Sequence, residues 1–288
     1  MRIRHRTLKF GKHEKTKDIV FTSCWHIGNP ACREKHIEEL MVDCAKTKTP
    51  WIMLGDIIEC IAPVDPRYHC ETHGETVISQ CEMAGGYMAQ GIDVCWGLHI
   101  GNHEDKVSAK VGDLTRLTLM NSLRHTSKNN KQLVSLTNDL HLGGACFTNV
   151  KCPNGNMTIF TAHSRLSVSS AGTSDPDRDR LNRQIRLRRK LKAWRADLKV
   201  VGHGHTNLVS PPVSRPVLSM RELETKQVDD NVCTEWCAMA ASMFLNYHSS
   251  EDYPDYAEMA LYPPTDIGYI RATVDRSGTV LDVVPVSV

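Results

Sequence analysis

Five short segments carry the residue types that could do chemistry: Cys24-Trp25-His26, Gly55-Asp56, Gly101-Asn102-His103-Glu104, His163 and Gly202-His203-Gly204-His205. Each follows an apolar, often β-branched run, so each would stand where a strand gives way to a loop. Open α/β sheets place their ligand sites at such strand ends. Imidazole, carboxylate and amide oxygen together suit borderline cations such as Zn, Fe or Mn rather than an all-oxygen calcium cage. Spread over several strand ends, the set reads as a two-metal hydrolytic centre.

Taken singly, the segments differ in what they say. Asp56 after an apolar run could be a turn residue or a helix N-cap, since Ile57, Ile58 and Glu59 would let a helix start there. Its two carboxylate oxygens could equally bridge two cations. Asn102 offers a neutral amide oxygen, and His103 beside Glu104 reads as an imidazole whose protonated form an acid supports. The plainer alternative is a polar turn in which Gly101 supplies an unusual backbone angle. His203 and His205, two apart at a strand end, point to the same side, and the flanking glycines allow close approach to a metal. His163 takes its meaning from its place, at a strand end between the other motifs.

The elements that must position these groups follow from periodicity. Asp18 to Cys24 reads as a strand, closed by His26, Gly28 and Pro30. From Ala31 to Thr47, Ile37, Leu40, Met41, Cys44 and Ala45 recur at helical spacing, with Glu38, Glu39 and Asp43 on the opposite face. Trp51 to Gly55 is a short buried strand. A helix near Glu75 to Gln90 and a strand over Asp93 to Gly101 complete a third unit, so βαβ layers around a mixed or parallel sheet are expected. Met157 to His163 and Leu198 to Gly202 are two further strands, separated by an Asp- and Ser-rich loop and a basic helix. After Gly202, apolar segments at Val217 to Met220, Ala238 to Leu245, Ile267 to Val274 and Val280 to Val286 predict a second, mainly antiparallel sheet packed on the first. With no internal repeat and no clear linker, residues 1–288 are expected to form one domain, its motif-bearing core spanning about 18–210 and 211–288 completing the second sheet.

Composition bounds the rest. At 288 residues, 41% hydrophobic and with a formal net charge of +2, the chain can bury a substantial core, which excludes an intrinsically disordered class. Met1 to Lys17 is basic without an apolar stretch of signal-peptide length, and no run of about eighteen apolar residues occurs. A soluble, cytoplasmic protein without membrane contact is expected. Its eleven cysteines are scattered, which fits reduced thiols, most of them small buried hydrophobes. Tyr68, His69, Cys70 and His73, with Cys60 and Cys81 nearby, match no familiar zinc spacing, and a loop lining the cleft is the expectation. Cys233 and Cys237 are read as buried thiols. Arg178 to Arg195 is rich in arginine and lysine with Leu181, Ile185, Leu187, Leu191 and Trp194 interleaved; it is either a track for nucleic acid or a solvated helix face whose arginines pair with acids. There is no P-loop, dinucleotide glycine fingerprint or serine nucleophile elbow.

In this order the segments resemble the calcineurin-like metallophosphoesterases, whose pattern runs Asp-x-His, Gly-Asp, Gly-Asn-His-Asp/Glu, His, Gly-His-x-His. The resemblance spans about residues 18 to 210. The size and the segment Ile27 to Cys32 are most similar to phage- and prophage-encoded members. It implies an α/β fold, a four-layer αββα sandwich with two mixed sheets, and hydrolysis of a phosphate ester by a hydroxide held between two divalent ions. A phosphodiester in nucleic acid or a nucleotide is the expected substrate; a phosphomonoesterase and a degenerate, non-catalytic metal-binding module are the alternatives. By the resemblance, His26, Asp56 and His205 hold one ion and Asp56, Asn102, His163 and His203 the other. His103, oriented by Glu104, stabilises charge or protonates the leaving oxygen. Arg165, His69 and His73 are expected to contact substrate. One position departs from the pattern: Cys24 stands where the family carries aspartate. It is either a thiolate ligand that biases the first site toward Zn or Fe, or a buried bystander beside a weakened site.

Overall fold

The computed structural model describes residues 1–61, 76–112, 114–126, 140–164, 168, 174–216, 230–233, 235–245 and 264–288, with the backbone alone at 111, 114–116, 124–126, 213–216 and 230–233. His69, His73, Tyr68, Cys70 and Arg165 lie outside the described residues, as do most of the loop preceding the basic helix and the segment Val217 to Met220.

Among the described residues, thirteen strands and five α-helices alternate along the chain. The first sheet runs in the order β13 (Val280–Ser287), β12 (Gly268–Asp275), β2 (Thr16–Thr22), β3 (Trp51–Met53) and β4 (Cys95–Leu98). The second runs β1 (Arg2–Thr7), β5 (Ala145–Cys152), β6 (Gly155–His163), β7 (Leu198–Gly202), β11 (Trp236–Met239) and β8 (Leu208–Ser210). β9 (Val213–Pro216) and β10 (Asp230–Cys233) form a separate antiparallel pair. Both large sheets are mixed. β2, β3 and β4 are parallel neighbours, as are β6, β7 and β11, while β12 and β13 join antiparallel.

Side-chain alternation along the strands builds the layers, because successive residues face opposite sides of a sheet. In β2, Val20 faces the helices α1 (Glu34–Thr47) and α2 (Val77–Gln90), together with Trp51 and Met53 of β3. Ile19, Phe21 and Ile52 face the other way and meet Cys146, Val150, Ile159, Leu198, Val200 and Ala238 of the second sheet. The far face of that sheet, with Phe160, Ala162, Val201, Cys237 and Met239, is covered by Leu187 and Leu191 of α5 (Pro176–Leu191). Helix, sheet, sheet, helix is therefore the layer order, a four-layer αββα sandwich with two mixed sheets. Two helices follow β4, α3 (Asn102–Val111) and α4 (Leu114–Thr126), and α4 packs on α2.

The helices end as their sequences dictate. α1 buries Ile37, Leu40, Met41 and Cys44 on one stripe and stops where Lys48 turns left-handed at φ 53°. α5 starts from Asp175, whose side chain accepts from the Asp177 and Arg178 amides, with Pro176 in its first turn. Acids in its first turn and Arg188, Arg189 and Lys190 in its last complement the helix dipole. Among the described residues no helix is long and apolar enough to cross a membrane.

Two expectations are corrected, and one element was not anticipated. The segment 211–288 does not simply complete the second sheet: β12 pairs with β2 and β13 with β12, so both extend the first sheet, and among the described residues of this segment only β11 joins the second. Periodicity marks a strand but carries no address, so the partner was beyond it. The basic N-terminus forms β1, parallel to β5, with the Arg2 and Arg4 guanidiniums donating to His141 O and Arg6 to Trp96 O. No helix starts after Asp56. Residues 57–59 instead pair with the loop after β2, Ile27 N donating to Ile57 O at 3.1 Å and Glu59 N to Ile27 O at 3.0 Å.

Candidate metal centre

The parallel strands β2, β3 and β4 end side by side, and so do β6 and β7 of the facing sheet. Their C-terminal ends therefore deliver Cys24 and His26, Asp56, Asn102 and His103, His163, and His203 and His205 to one place. Five of these residues, Cys24 (φ 50°), His26 (53°), Asp56 (53°), His203 (83°) and His205 (47°), have left-handed backbone. Such conformations are costly for side chains with a Cβ and cluster at functional sites.

Asp56 is the hub. It is 1% exposed and sits at the N-terminus of α3, where its Oδ1 accepts from His103 N at 3.0 Å. Its Oδ2 lies 3.2 Å from His163 Nε2 and 3.8 Å from His203 Nδ1. Burial pushes the carboxyl up, but the His163 and His203 rings and the His26 charge hold it well below the ordinary carboxylate range. Two positions must be glycine for this approach. A Cβ on Gly101 would run into Asp56 Oδ1 and Asp56 N, and one on Gly55, at φ 99°, would meet the His163 ring at 2.6 Å.

Two clusters of ligand atoms share Asp56, each with all its atoms within 4.8 Å of one another: Cys24, His26, Asp56 and His205, and Asp56, His163 and His203. The second includes Asn102 by geometry, its Oδ1 standing 3.0 Å from His163 Nε2. His163 Nδ1 is 2.6 Å from Leu54 O, and a carbonyl only accepts, so Nδ1 carries the hydrogen. In the neutral ring Nε2 is then a lone pair facing two oxygens, an arrangement that requires a shared proton or a cation. Without a cation the proton is favoured: burial opposes the charged ring, yet Asp56 raises His163 above its usual value. In addition, His26 Nε2 and His203 Nδ1 are buried without a hydrogen-bond partner. A buried polar atom left unpaired costs about 1–3 kcal/mol, which coordination would offset. The donor set fits divalent cations.

The first cluster has a different character. Cys24 is fully buried and 3.1 Å from Ser23 Oγ, and burial pushes its thiol up despite the His26 ring beside it. Burial, then the His26 charge, holds His205 well below its ordinary value, as a neutral imidazole. The Phe244 ring closes this side, with its centroid 4.3 Å from that of His26 and 5.1 Å from that of His205.

Glu104 does not orient His103. Its carboxylate accepts from Ile57 N at 2.6 Å, Ile58 N at 3.0 Å and Gly101 N at 2.8 Å, clamping the loop after β3 to the start of α3. Burial and the neighbouring Asp56 push it up to about 7 against the Ile58 and Gly101 amides. His103 instead donates from Nδ1 to Glu59 O at 2.6 Å, because the helix start turns the ring toward the 57–60 loop and away from its sequence neighbour. Burial and the His26 charge lower its pKa. Two residues at the centre escaped the sequence reading. Glu59, three residues after Asp56, carried a usable signal as an acid within the same strand-end loop; Phe244 arrives from a distant segment with no local signature.

No family model matches the chain, and no curated protein does. Among solved structures, it is similar to a conserved uncharacterized protein, a predicted phosphoesterase, from Streptococcus pneumoniae TIGR4, at 11% identity and TM-score 0.35 over 95% of this chain and 98% of the other. A hypothetical protein from Thermus thermophilus overlaps at 10% identity and TM-score 0.34, covering 93% and 98% of the two chains. GAP50, the anchor in the inner membrane complex of Plasmodium, overlaps at 8% identity and TM-score 0.36, covering 95% and 89%. Overlaps of this depth say nothing of what the chain acts on.

The glycine geometry is directly testable. Gly101→Ala is expected to destabilise by about 1–3 kcal/mol, the cost of overpacking a site that cannot yield. Gly86→Ala, within α2 and with nothing within 4 Å of the added Cβ, is expected to stabilise by about 0.5–1 kcal/mol. Urea unfolding of the two variants reads both; equal effects would contradict the close approach of Asp56 to residue 101.

Proposed function

We propose that the chain is a metal-dependent hydrolase of phosphate esters, acting on a phosphodiester in nucleic acid or a nucleotide. One observation carries this: a buried carboxylate, Asp56, shared by two imidazole-rich clusters in which His26 Nε2 and His203 Nδ1 are buried without a hydrogen-bond partner. Cys24, His26, Asp56 and His205 would hold one divalent ion; Asp56, Asn102, His163 and His203 would hold the other. Mn, Fe and Zn suit the mixed donors. When bound, such ions supply Lewis acidity toward phosphoryl oxygen and a nucleophile from water at neutral pH.

The chain's own residues then have separable roles. Asp56 holds the two clusters in register, since each of its oxygens is already directed by a fixed partner. His163 is locked by Leu54 O in the tautomer that turns Nε2 inward. His103 has Nδ1 committed to Glu59 O, so Nε2 is the atom through which it can exchange a proton with a leaving oxygen. Glu104 keeps the 57–58 amides and the helix start in place. Phe244 packs on the His26 and His205 rings and keeps water from that side of the first cluster, which strengthens the electrostatic contacts there.

Substrate preference rests on α5. Its exposed Arg178, Arg180 and Arg189 and, just beyond it, Lys192 and Arg195 give its solvent side many positive charges, whereas Arg183 pairs with Asp179 and Arg188 binds Ser210 and Pro211 O. Positive charge of this kind suits a polyanion.

The deciding experiment is a substrate panel on metal-loaded protein, with metal content measured beside it. Hydrolysis of bis-(p-nitrophenyl) phosphate ahead of the mono-ester is expected; the reverse preference would make it a phosphomonoesterase, and tightly held metal without turnover a binding module. Cys24→Asp is expected to shift the metal preference of the first site from Zn toward Mn, read by competitive loading, because the carboxylate is harder than the thiolate. Unchanged loading and hydrolysis would make Cys24 a bystander. Neutralising Arg178, Arg189 and Lys192 together is expected to lower the salt slope of DNA affinity by about 2–3. An unchanged slope would remove α5 from the interface.

A further inference from the structure

A third group of close ligand atoms, His26, Glu59 and His103, adjoins the two clusters on Asp56. It is not a further cation site of the same kind, because both rings are already committed through Nδ1. His26 Nδ1 lies 2.7 Å from Glu59 Oε2, and His103 Nδ1 lies 2.6 Å from Glu59 O. One residue thus binds one imidazole through its side chain and another through its main chain. The two rings meet edge to face, their centroids 4.5 Å apart.

We infer that Glu59 is a positioning residue that fixes the orientation of His26 toward a cation and that of His103 toward the leaving oxygen. The inference rests on the metal reading above. Glu59 is 4% exposed, so its 2.7 Å bond to His26 Nδ1 is poorly screened by water. A carboxylate that takes the far ring proton of a ligand histidine fixes which nitrogen faces the metal and makes it a better donor. His26 has that remaining nitrogen, Nε2, buried and without a hydrogen-bond partner. The first cluster contains one carboxylate, Asp56, shared with the second, so Glu59 adds a second acidic side chain directly behind His26.

The main-chain handle is equally restrained. Glu59 N donates to Ile27 O at 3.0 Å, and the next amide, Cys60 N, donates to Gln80 Oε1 at 2.9 Å. Gln80 is fully buried on α2, and Cys60 is left-handed at φ 54°. The peptide that offers its carbonyl to His103 is therefore held from the helix layer as well as from the loop after β2. Changing the Glu59 side chain removes the His26 handle and leaves the His103 handle on the backbone.

The test compares Zn2+ and Co2+ binding to the wild-type protein, Glu59→Gln and Glu59→Ala, by competition with a chelating dye and by the Co2+ absorption spectrum. Glu59→Ala is expected to weaken the tighter-responding site about 10–100-fold, the usual effect of removing such an outer partner. Glu59→Gln keeps an acceptor oxygen for His26 and is expected to recover part of that loss. The Co2+ spectrum should change in Glu59→Ala, since a reoriented ring alters the ligand field. Wild-type affinities and spectrum in both variants would overturn the role of Glu59 while leaving the metal centre standing. Should Glu59→Ala fail to fold, Glu59→Leu, which fills the space without an acceptor, is read instead, and wild-type affinity and spectrum there would overturn the role equally. A wild-type protein that binds neither ion would overturn the metal centre itself.

Discussion

A reciprocal clasp between the loop after β3 and the start of α3 organises the centre. Asp56 reaches forward to accept the His103 amide at the helix N-terminus, and Glu104 reaches back to accept the amides of Ile57, Ile58 and Gly101. Each carboxylate satisfies donors that a loop and a helix start would otherwise leave unpaired, and each sits at the positive end of a helix. Because the donors are backbone amides, the clasp fixes where the chain goes and not only where two side chains point. Asn102 and His103 are carried along, since they are the first residues of the helix so anchored. The missing Cβ at Gly101 is the steric condition for it.

The second sheet joins through the same hub. His163, at the end of β6, bonds Leu54 O just before Gly55 and turns its other nitrogen to Asp56 and Asn102. The core between the sheets, with Phe21, Ile52, Ile159 and Val200, holds the two sets of strand ends at a constant separation. Strained backbone at five candidate ligands is sustained by this frame, as each left-handed residue costs of the order of 1–3 kcal/mol. A site of converging acceptors on strained backbone is a preorganised receptor for positive charge, with the ordering cost met during folding rather than during binding.

The cluster that holds Cys24 differs in chemistry from the one around His163. A buried thiol, a neutral His205, an aromatic wall and a carboxylate behind His26 make it the drier and softer of the two. Burial raises the thiol's pKa, so loss of its proton requires the compensating charge of a cation. In the proposed centre a thiolate ligand would couple cation affinity at this position to pH more steeply than carboxylates and imidazoles alone would.

Much of this was legible in the chain itself. The apolar runs ending in Asp56, His163 and His203 announced strands with polar ends, and Ile37, Leu40, Met41 and Cys44 announced the buried stripe of α1, because period and residue type are local properties. The ligand types and their order along the chain were equally plain. Pairing and orientation were not. That β12 and β13 extend the sheet of β2, that β1 closes the edge beside β5, that Glu104 serves the backbone while Glu59 serves the histidines, and that Phe244 walls the first cluster all depend on contacts between segments far apart in sequence or on the direction a helix start gives its side chains. By itself the sequence determined which residues could ligate and that strand ends would present them. Only the tertiary structure decided which imidazole faces which carboxylate, because a hydrogen bond is directional and its partner is set by the packing of sheets and helices rather than by proximity along the chain.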